Sequence, residues 1–207
     1  TISLSQNPLD GTNTFGVLYS SITHHQVVKL TYHTRRDNEQ KKMISVSPYQ
    51  LREYNRRWFL ICSAKDDGKI LTFAVDQIDD VEQRPTDEYV DYKGDINERY
   101  EDIVGVTLYE DKPVEHIIFW VSDESKNYVQ TKPIHESQKN IRGENAEHLY
   151  TCNKELCTGA FFSIDCIVNY ELVRELMGFG KDLLVLQPLS LRQEIIRKIS
   201  ENLQAYH

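Results

Sequence analysis

The chain has 207 residues, 40% hydrophobic and 27% charged, with a formal net charge of −8. That length fits one large domain or two of about 100 residues each. No uninterrupted apolar run is longer than that of residues 117–121, far short of the about 20 residues of a membrane span, and no basic segment leads into an apolar leader. A cytoplasmic protein with no membrane partner is therefore expected. The chain opens on Thr1 and not on Met, so a segment upstream is expected as well.

Residues 1–12 are polar, contain Pro8, Asp10 and Gly11, and read as a linker. Phe15, Leu18, Tyr19 and Ile22 then form one apolar stripe of a short helix. Thr12 or Asn13 can cap it. From Val27 the period changes to two. Val28, Leu30 and Tyr32 alternate with polar residues, a polar turn follows at 35–40, and residues 43–54 are extended with Pro48 at a bend. Asn55-Arg56 is a tight turn before a strand at 57–64. Asp66-Asp67-Gly68 signals a hairpin. Strands at 70–75 and 78–84 complete about five in under 60 residues, the pattern of a small antiparallel barrel.

Pro85, Gly94 and several acids mark a boundary at 86–95. Beyond it, residues 114–121 read as a strand and Ser122-Asp123-Glu124 as a helix start. Residues 133–141 are extended, and 149–153 and 159–168 read as strands. Asn169 caps a helix that Gly178 stops. Residues 183–186 form a strand, and Ser190 with Gln193 makes a capping box for a last helix. Strand–helix–strand–strand–helix–strand is the ferredoxin-like order.

Charge is unevenly spread. Residues 29–57 carry eight basic side chains against three acidic, a net of +5, whereas residues 85–207 carry 13 against 22, a net of −9. The basic stretch is interleaved with Tyr32, Tyr49, Tyr54, Trp58 and Phe59. Arginine forks grip phosphate and aromatic faces stack on bases, so the combination suits a short single strand or a nucleotide. It equally suits a solvated basic face over core aromatics, and Trp58 and Phe59, being mid-strand, are expected in the core.

Enzymatic and metal signatures are missing. Cys62, Cys152, Cys157 and Cys166 contain no Cys-x-x-Cys pair, and their spacings with His148 match no structural zinc motif. They are expected to be reduced thiols with no metal. Neither a dinucleotide fingerprint nor a P-loop is present, and Gly178-Phe179-Gly180 lies at a helix end. His24-His25 ends the first helix, where positive charge suits the dipole. Asp66-Asp67 and Asp79-Asp80 fall in or near turns and are expected to be solvated. No catalytic residue and no cofactor are expected.

Four stretches in order carry a resemblance: Leu30-Thr31-Tyr32-His33-Thr34-Arg35, Pro48-Tyr49-x-Leu51, Arg57-Trp58-Phe59-Leu60 and Thr72-Phe73-Ala74-Val75-Asp76-Gln77-Ile78. Together they resemble the WYL domain family. The second half, through Tyr109-Glu110-Asp111-x-Pro113, His135-Glu136-Ser137-Gln138, Glu171-Leu172 and Val185-Leu186-x-Pro188-x-x-Leu191-Arg192, resembles the WCX extension that often follows it. The resemblance implies an Sm-like, SH3-type barrel and a ferredoxin-like domain that assists dimerisation. It also implies a place behind a winged helix-turn-helix in bacterial transcription regulators, with nucleic-acid fragments or nucleotides as ligands.

Carried over by position, the resemblance marks Tyr32, Thr34, Arg35, Tyr54 and Arg57. The family's Phe-Arg-Leu-Asp-Arg-Ile pattern has lost both arginines, at Ala74 and Gln77, and Arg36, Arg52 and Arg56 are candidates to compensate. The expected architecture is α+β: a linker at 1–12, a helix and Sm-like/SH3-type barrel over 13–85, a linker over 86–95 and a ferredoxin-like α/β sandwich over 96–207. The expected ligand site is Tyr32, Thr34, Arg35, Arg36, Arg52, Tyr54 and Arg57. The expected partners are a single-stranded nucleic acid or nucleotide, double-stranded DNA through a missing N-terminal domain, and a second copy in a homodimer. The alternative is an interaction and dimerisation module with no nucleic-acid ligand.

Overall fold

A computed structural model describes residues 12–33, 41–64, 69–109 and 111–206. The opening segment, the turn expected at 35–40 and the Asp66-Asp67-Gly68 turn lie outside the described residues, as do the side chains of Thr12 and Asn13. The fold is α+β with two antiparallel sheets. The chain divides into two compact units, residues 1–97 and 98–207. No helix among the described residues is long and apolar enough to cross a membrane.

The first unit opens with α1 (Thr12–Thr23), whose Leu18 is fully buried. Five strands follow: β1 (Val27–His33), β2 (Lys41–Tyr54), β3 (Arg57–Ala64), β4 (Ile70–Ala74) and β5 (Ile78–Arg84). Their order is β4-β3-β2-β1-β5. Asn55 and Arg56 both have positive φ, 51° and 64°, the two-residue hairpin turn whose twist matches the flanking strands. Leu18, Val28, Leu30, Val46, Leu60 and Cys62 form the core, with Trp58 and Phe73 packed against it.

Among the described residues no ladder joins β4 to β5, so the sheet is open where a closed barrel was expected. A 3-10 turn over Val75–Gln77 links the two strands instead. The sheet is nevertheless strongly curled. Three strand spacings would hold β1 and β4 about 14 Å apart in a flat sheet, yet Tyr32 of β1 and Phe73 of β4 have ring centroids 4.7 Å apart.

Pro48 sits at a register break. The β2–β3 ladder skips one residue between Pro48 and Gln50, leaving Tyr49 as a bulge. The extra residue resets the alternation, so that Val46 and Leu51, five apart, both pack on the core. Tyr49 is thereby turned towards the segment after β5. Its hydroxyl lies 2.6 Å from Ser63 Oγ and donates to the Val90 carbonyl at 2.8 Å. Tyr89 donates to the Pro48 carbonyl and Val90 N–H to Ser47 Oγ. The stretch expected as a linker at 86–95 is thus pinned to β2 at several points.

The second unit contains β6 (Val114–Val121), α2 (Lys126–Thr131), β7 (Lys139–Ile141), α3 (Glu144–Cys152), β8 (Ala160–Ile167), α4 (Tyr170–Gly178), β9 (Leu183–Gln187) and α5 (Leu189–Ala205). Its sheet order is β7-β8-β6-β9. Phe119, Phe161, Phe162, Ile164, Leu172 and Leu176 are fully buried there.

Three expectations are corrected in this unit. Residues 149–153, read as a strand, belong mostly to α3. Gly143 at φ 63° breaks the preceding strand, and Glu144, Ala146 and Glu147 give a helix-forming first turn. Of the extended stretch 133–141 only the three residues of β7 pair. The capping box at Ser190 is not used, because α5 starts two residues earlier with Pro188 at its N-cap. The Asn169 cap is present. Its side-chain oxygen accepts from Leu172 N at 2.9 Å, and its amide donates to the carbonyls of Val104 and Thr107.

Candidate ligand-binding face of the first unit

The β2–β3 hairpin carries the arginines. Residues directly opposed in an antiparallel ladder share a face. The register Arg52↔Phe59 and Tyr54↔Arg57 therefore gathers these four side chains on one side of the hairpin, while Leu51 and Trp58 turn to the core. Phe59 corrects the expectation that it joins Trp58 inside. It is half-buried on the opposite face, with the Arg57 guanidinium 5.8 Å from its ring centroid.

An acid of the 3-10 turn meets this hairpin, and an acid of β5 meets the adjoining ends of β1 and β2. Arg57 Nε donates to Asp76 Oδ1 at 2.8 Å, with side chains 40% and 47% exposed. Asp79 lies 3.0 Å from His33 Nδ1 and 3.3 Å from Lys41 Nζ. Asp79 and Asp80 are both exposed, as expected, and Asp79 in addition holds two basic side chains. Sequence reasoning missed Asp76 and Asp79 as parts of the site. No local signal marks either one: Asp76 sits in the 3-10 turn and Asp79 at the register shift of β5 against β1, and their partners lie 19 and 46 residues away.

Tyr32 is elsewhere. The register Leu30↔Ile44 and Tyr32↔Lys42 keeps it on the core face of the sheet. There it lines a cavity of about 370 Å³ with Ile44, Leu71 and Phe73. Ala74 and Gln77, the two positions at which the family pattern has arginine, line the same cavity. Of the seven expected site residues, Arg52, Tyr54 and Arg57 come together, Tyr32 sits apart, and Thr34, Arg35 and Arg36 lie outside the described residues.

The thiols form no centre with other ligands: among the described residues no three His, Cys, Asp or Glu side chains converge as a metal site. Cys62 and Cys166 are buried, and Cys152 and Cys157 are exposed. Burial pushes the Cys62 thiol far up and the Cys166 thiol up to about 12.

A curled sheet with an arginine–aromatic hairpin, followed by an antiparallel α+β unit, defines a two-domain chain with its charged face on the first domain. Residues 13–83 match the WYL domain model and residues 113–203 match the WCX domain model. The chain belongs to the WYL family, a WYL domain followed by a WCX domain. Among solved structures it is similar to proteasome accessory factor B/C (PafBC) of Arthrobacter aurescens, at 14% identity and TM-score 0.37, over 100% of this chain and 29% of that one. It is also similar to a CRISPR Cas-related protein, at 14% identity and TM-score 0.49, over 93% of this chain and 51% of that one. The chain thus spans about half or less of the length of these structures. No curated protein matches the chain significantly.

Proposed function

We propose that this chain is the ligand-sensing module of a transcription regulator, non-enzymatic, with a short single-stranded nucleic acid or a nucleotide as ligand on the WYL domain. The observation that carries this reading is the cross-strand register that puts Arg52, Tyr54, Arg57 and Phe59 on one face. A phosphate that takes Arg57 from Asp76 breaks a surface ion pair worth about 0.2–1 kcal/mol. It gains a charge-assisted, bidentate contact in return. Stacking on the half-buried rings of Tyr54 and Phe59 would add up to about 1–3 kcal/mol per stacked base. The exchange therefore favours the ligand. Ligand binding would act on an upstream helix-turn-helix by selecting one arrangement of the domains.

The curl of the first sheet supports an Sm-like fold. The second sheet, β7-β8-β6-β9 with helices between its strands, supports a ferredoxin-like one. The test is titration of fluorescent short DNA and RNA against the full chain at two salt concentrations. Saturable binding at low salt, weakened at least about tenfold by Arg52→Ala with Arg57→Ala, is expected. Absence of binding at low salt, or binding that ignores both substitutions, would overturn the reading.

One observation favours a second role as a self-association module. Leu189, Ile196, Ile199 and Leu203 of α5 are each more than half exposed, and at 100° per residue they fall in one stripe. Beside this stripe runs a groove of about 560 Å³ that includes Leu184 and Ile195. A second copy is the natural partner for a face of this kind. Ile196→Glu with Ile199→Glu should shift the mass in light scattering from dimer to monomer; an unchanged mass would refute this role.

A further inference from the structure

We propose that the first unit carries a second site, a cage of aromatic rings and carboxylates that takes a small organic cation of the alkylammonium type. The site begins at the β2 bulge, where Tyr49 leaves the ladder. Its ring meets Tyr89 at 6.1 Å and 85°, and Tyr92 at 5.7 Å and 56°. His25, held at φ 52° just past α1, stacks on Tyr89 at 5.1 Å and 15°. These four rings line a cavity of about 260 Å³. It is smaller than the roughly 300–1,000 Å³ of drug-sized ligand pockets, so it suits a single headgroup and not a nucleotide.

Two of the rings, Tyr49 and Tyr89, are fixed before any ligand arrives. The Tyr49 hydroxyl is held by Ser63 and Val90, and the Tyr89 hydroxyl by the Pro48 carbonyl. A cage whose walls are already ordered spends little entropy on closing around its ligand. Burial raises the pKa of both phenols above the ordinary tyrosine value. They stay neutral at physiological pH and present the negative face of the ring quadrupole.

The charge of the lining selects the sign of the ligand. Asp91 and Asp95 line the cavity, and neither Lys nor Arg is among the described lining residues. Asp95 is oriented by Asn97, whose backbone N–H and side-chain amide both donate to it. Asp91 faces the imidazole of His25, Nδ1 to Oδ1 at 3.3 Å. The His25 ring therefore already sits as a planar cation would, its face on Tyr89 and a nitrogen towards a carboxylate. Ile22 and Ile96 close the apolar side, which suits the methyl groups of a quaternary ammonium. An anion meets two carboxylates here and gains nothing. The site shares no residue with the arginine face, so the two are tested separately.

Choline and its uncharged isostere 3,3-dimethyl-1-butanol are titrated into the full chain and followed by tyrosine fluorescence and NMR shifts. Choline should bind saturably, and the isostere at least about tenfold more weakly. Tyr92→Leu should lower choline affinity about two- to fivefold, with Tyr92→Phe restoring it, because the ring face and not the hydroxyl makes the contact. Asp91→Asn should lower it as well, and Arg57→Ala should leave it unchanged. Equal binding of the isostere would reduce the cage to an apolar crevice and overturn the proposal. So would no saturation by choline, or full affinity in Tyr92→Leu. Loss of oligonucleotide binding with choline binding intact would sink only the proposed function.

Discussion

Asp76→Asn should strengthen anion binding, and the size of the gain follows from the Arg57–Asp76 pair. The two groups are joined by one hydrogen bond of 2.8 Å, and each is nearly half exposed. Water screens such a pair, so its strength is about 0.2–1 kcal/mol and not the several kcal/mol of a buried one. If a ligand phosphate must displace Asp76, removing the carboxylate should raise affinity by about 1.5- to 5-fold. The asparagine keeps the shape of the 3-10 turn, and stability should change by less than about 1 kcal/mol. The assay is fluorescence anisotropy of a labelled short oligonucleotide with wild type, Asp76→Asn, Arg57→Ala and the double variant. A general effect of deleting a negative charge would appear in the Arg57→Ala background as well. The displacement model requires the gain to vanish there. An equal gain in both backgrounds, or none in either, refutes it.

Gly105→Ala should destabilise the second unit by more than 1 kcal/mol, roughly, because φ is +86° and the new Cβ would lie 2.6 Å from Glu171 Cγ; denaturant midpoints check this. Asn169→Ala removes the α4 cap and the amide bonds to Val104 and Thr107, a loss of about 1–3 kcal/mol by the same measurement. A thiol reagent should titrate Cys152 and Cys157 in the folded chain and all four cysteines after unfolding. The Cys166 thiol has its folded pKa raised from 9.0 to about 12. Its contribution to stability is therefore complete below pH 9 and is lost as pH rises from there towards 12. Cys166→Ala should flatten that alkaline decline in a pH series of melting temperatures.

Local signals were the ones legible in the sequence. The Asn55-Arg56 turn, the β3 strand and the Asn169 cap each depend on a few neighbouring residues, and each is present. The α3 helix was misread because Leu149 and Tyr150 look like a strand once Glu144–Glu147 are left out of the window. Yet Tyr150 packs its ring 4.6 Å from Phe161 of β8 from a helix. The site was only half legible for a different reason. Strict alternation places residues on faces only while the ladder is regular, and the bulge at Tyr49 shifts everything after it by one. Tyr32 and Arg57, both marked by the family resemblance, end on opposite faces of the sheet. The cage went unseen because its rings come from three separate stretches, and the hydrogen bonds of the 89–92 segment bring them together.

The distribution of charge has a consequence for how a nucleic acid would be held. Residues 29–57 net +5, but residues 1–84 as a whole carry eleven basic and ten acidic side chains, a net of +1. Asp76 and Asp79 belong to the part of the chain that cancels the rest. Eight cations acting together would release many counterions, with a logarithmic salt slope of about −5 to −6 on a single strand. Two phosphate contacts, from Arg52 and Arg57, give a slope of about −1.4. With so little net charge on the unit, attraction over distances beyond a Debye length of about 10 Å is weak. Affinity must then rest on close contacts and stacking. A shallow slope combined with strong dependence on Tyr54 and Phe59 would fit that physics. A steep slope would mean that the arginines after β1 carry the binding.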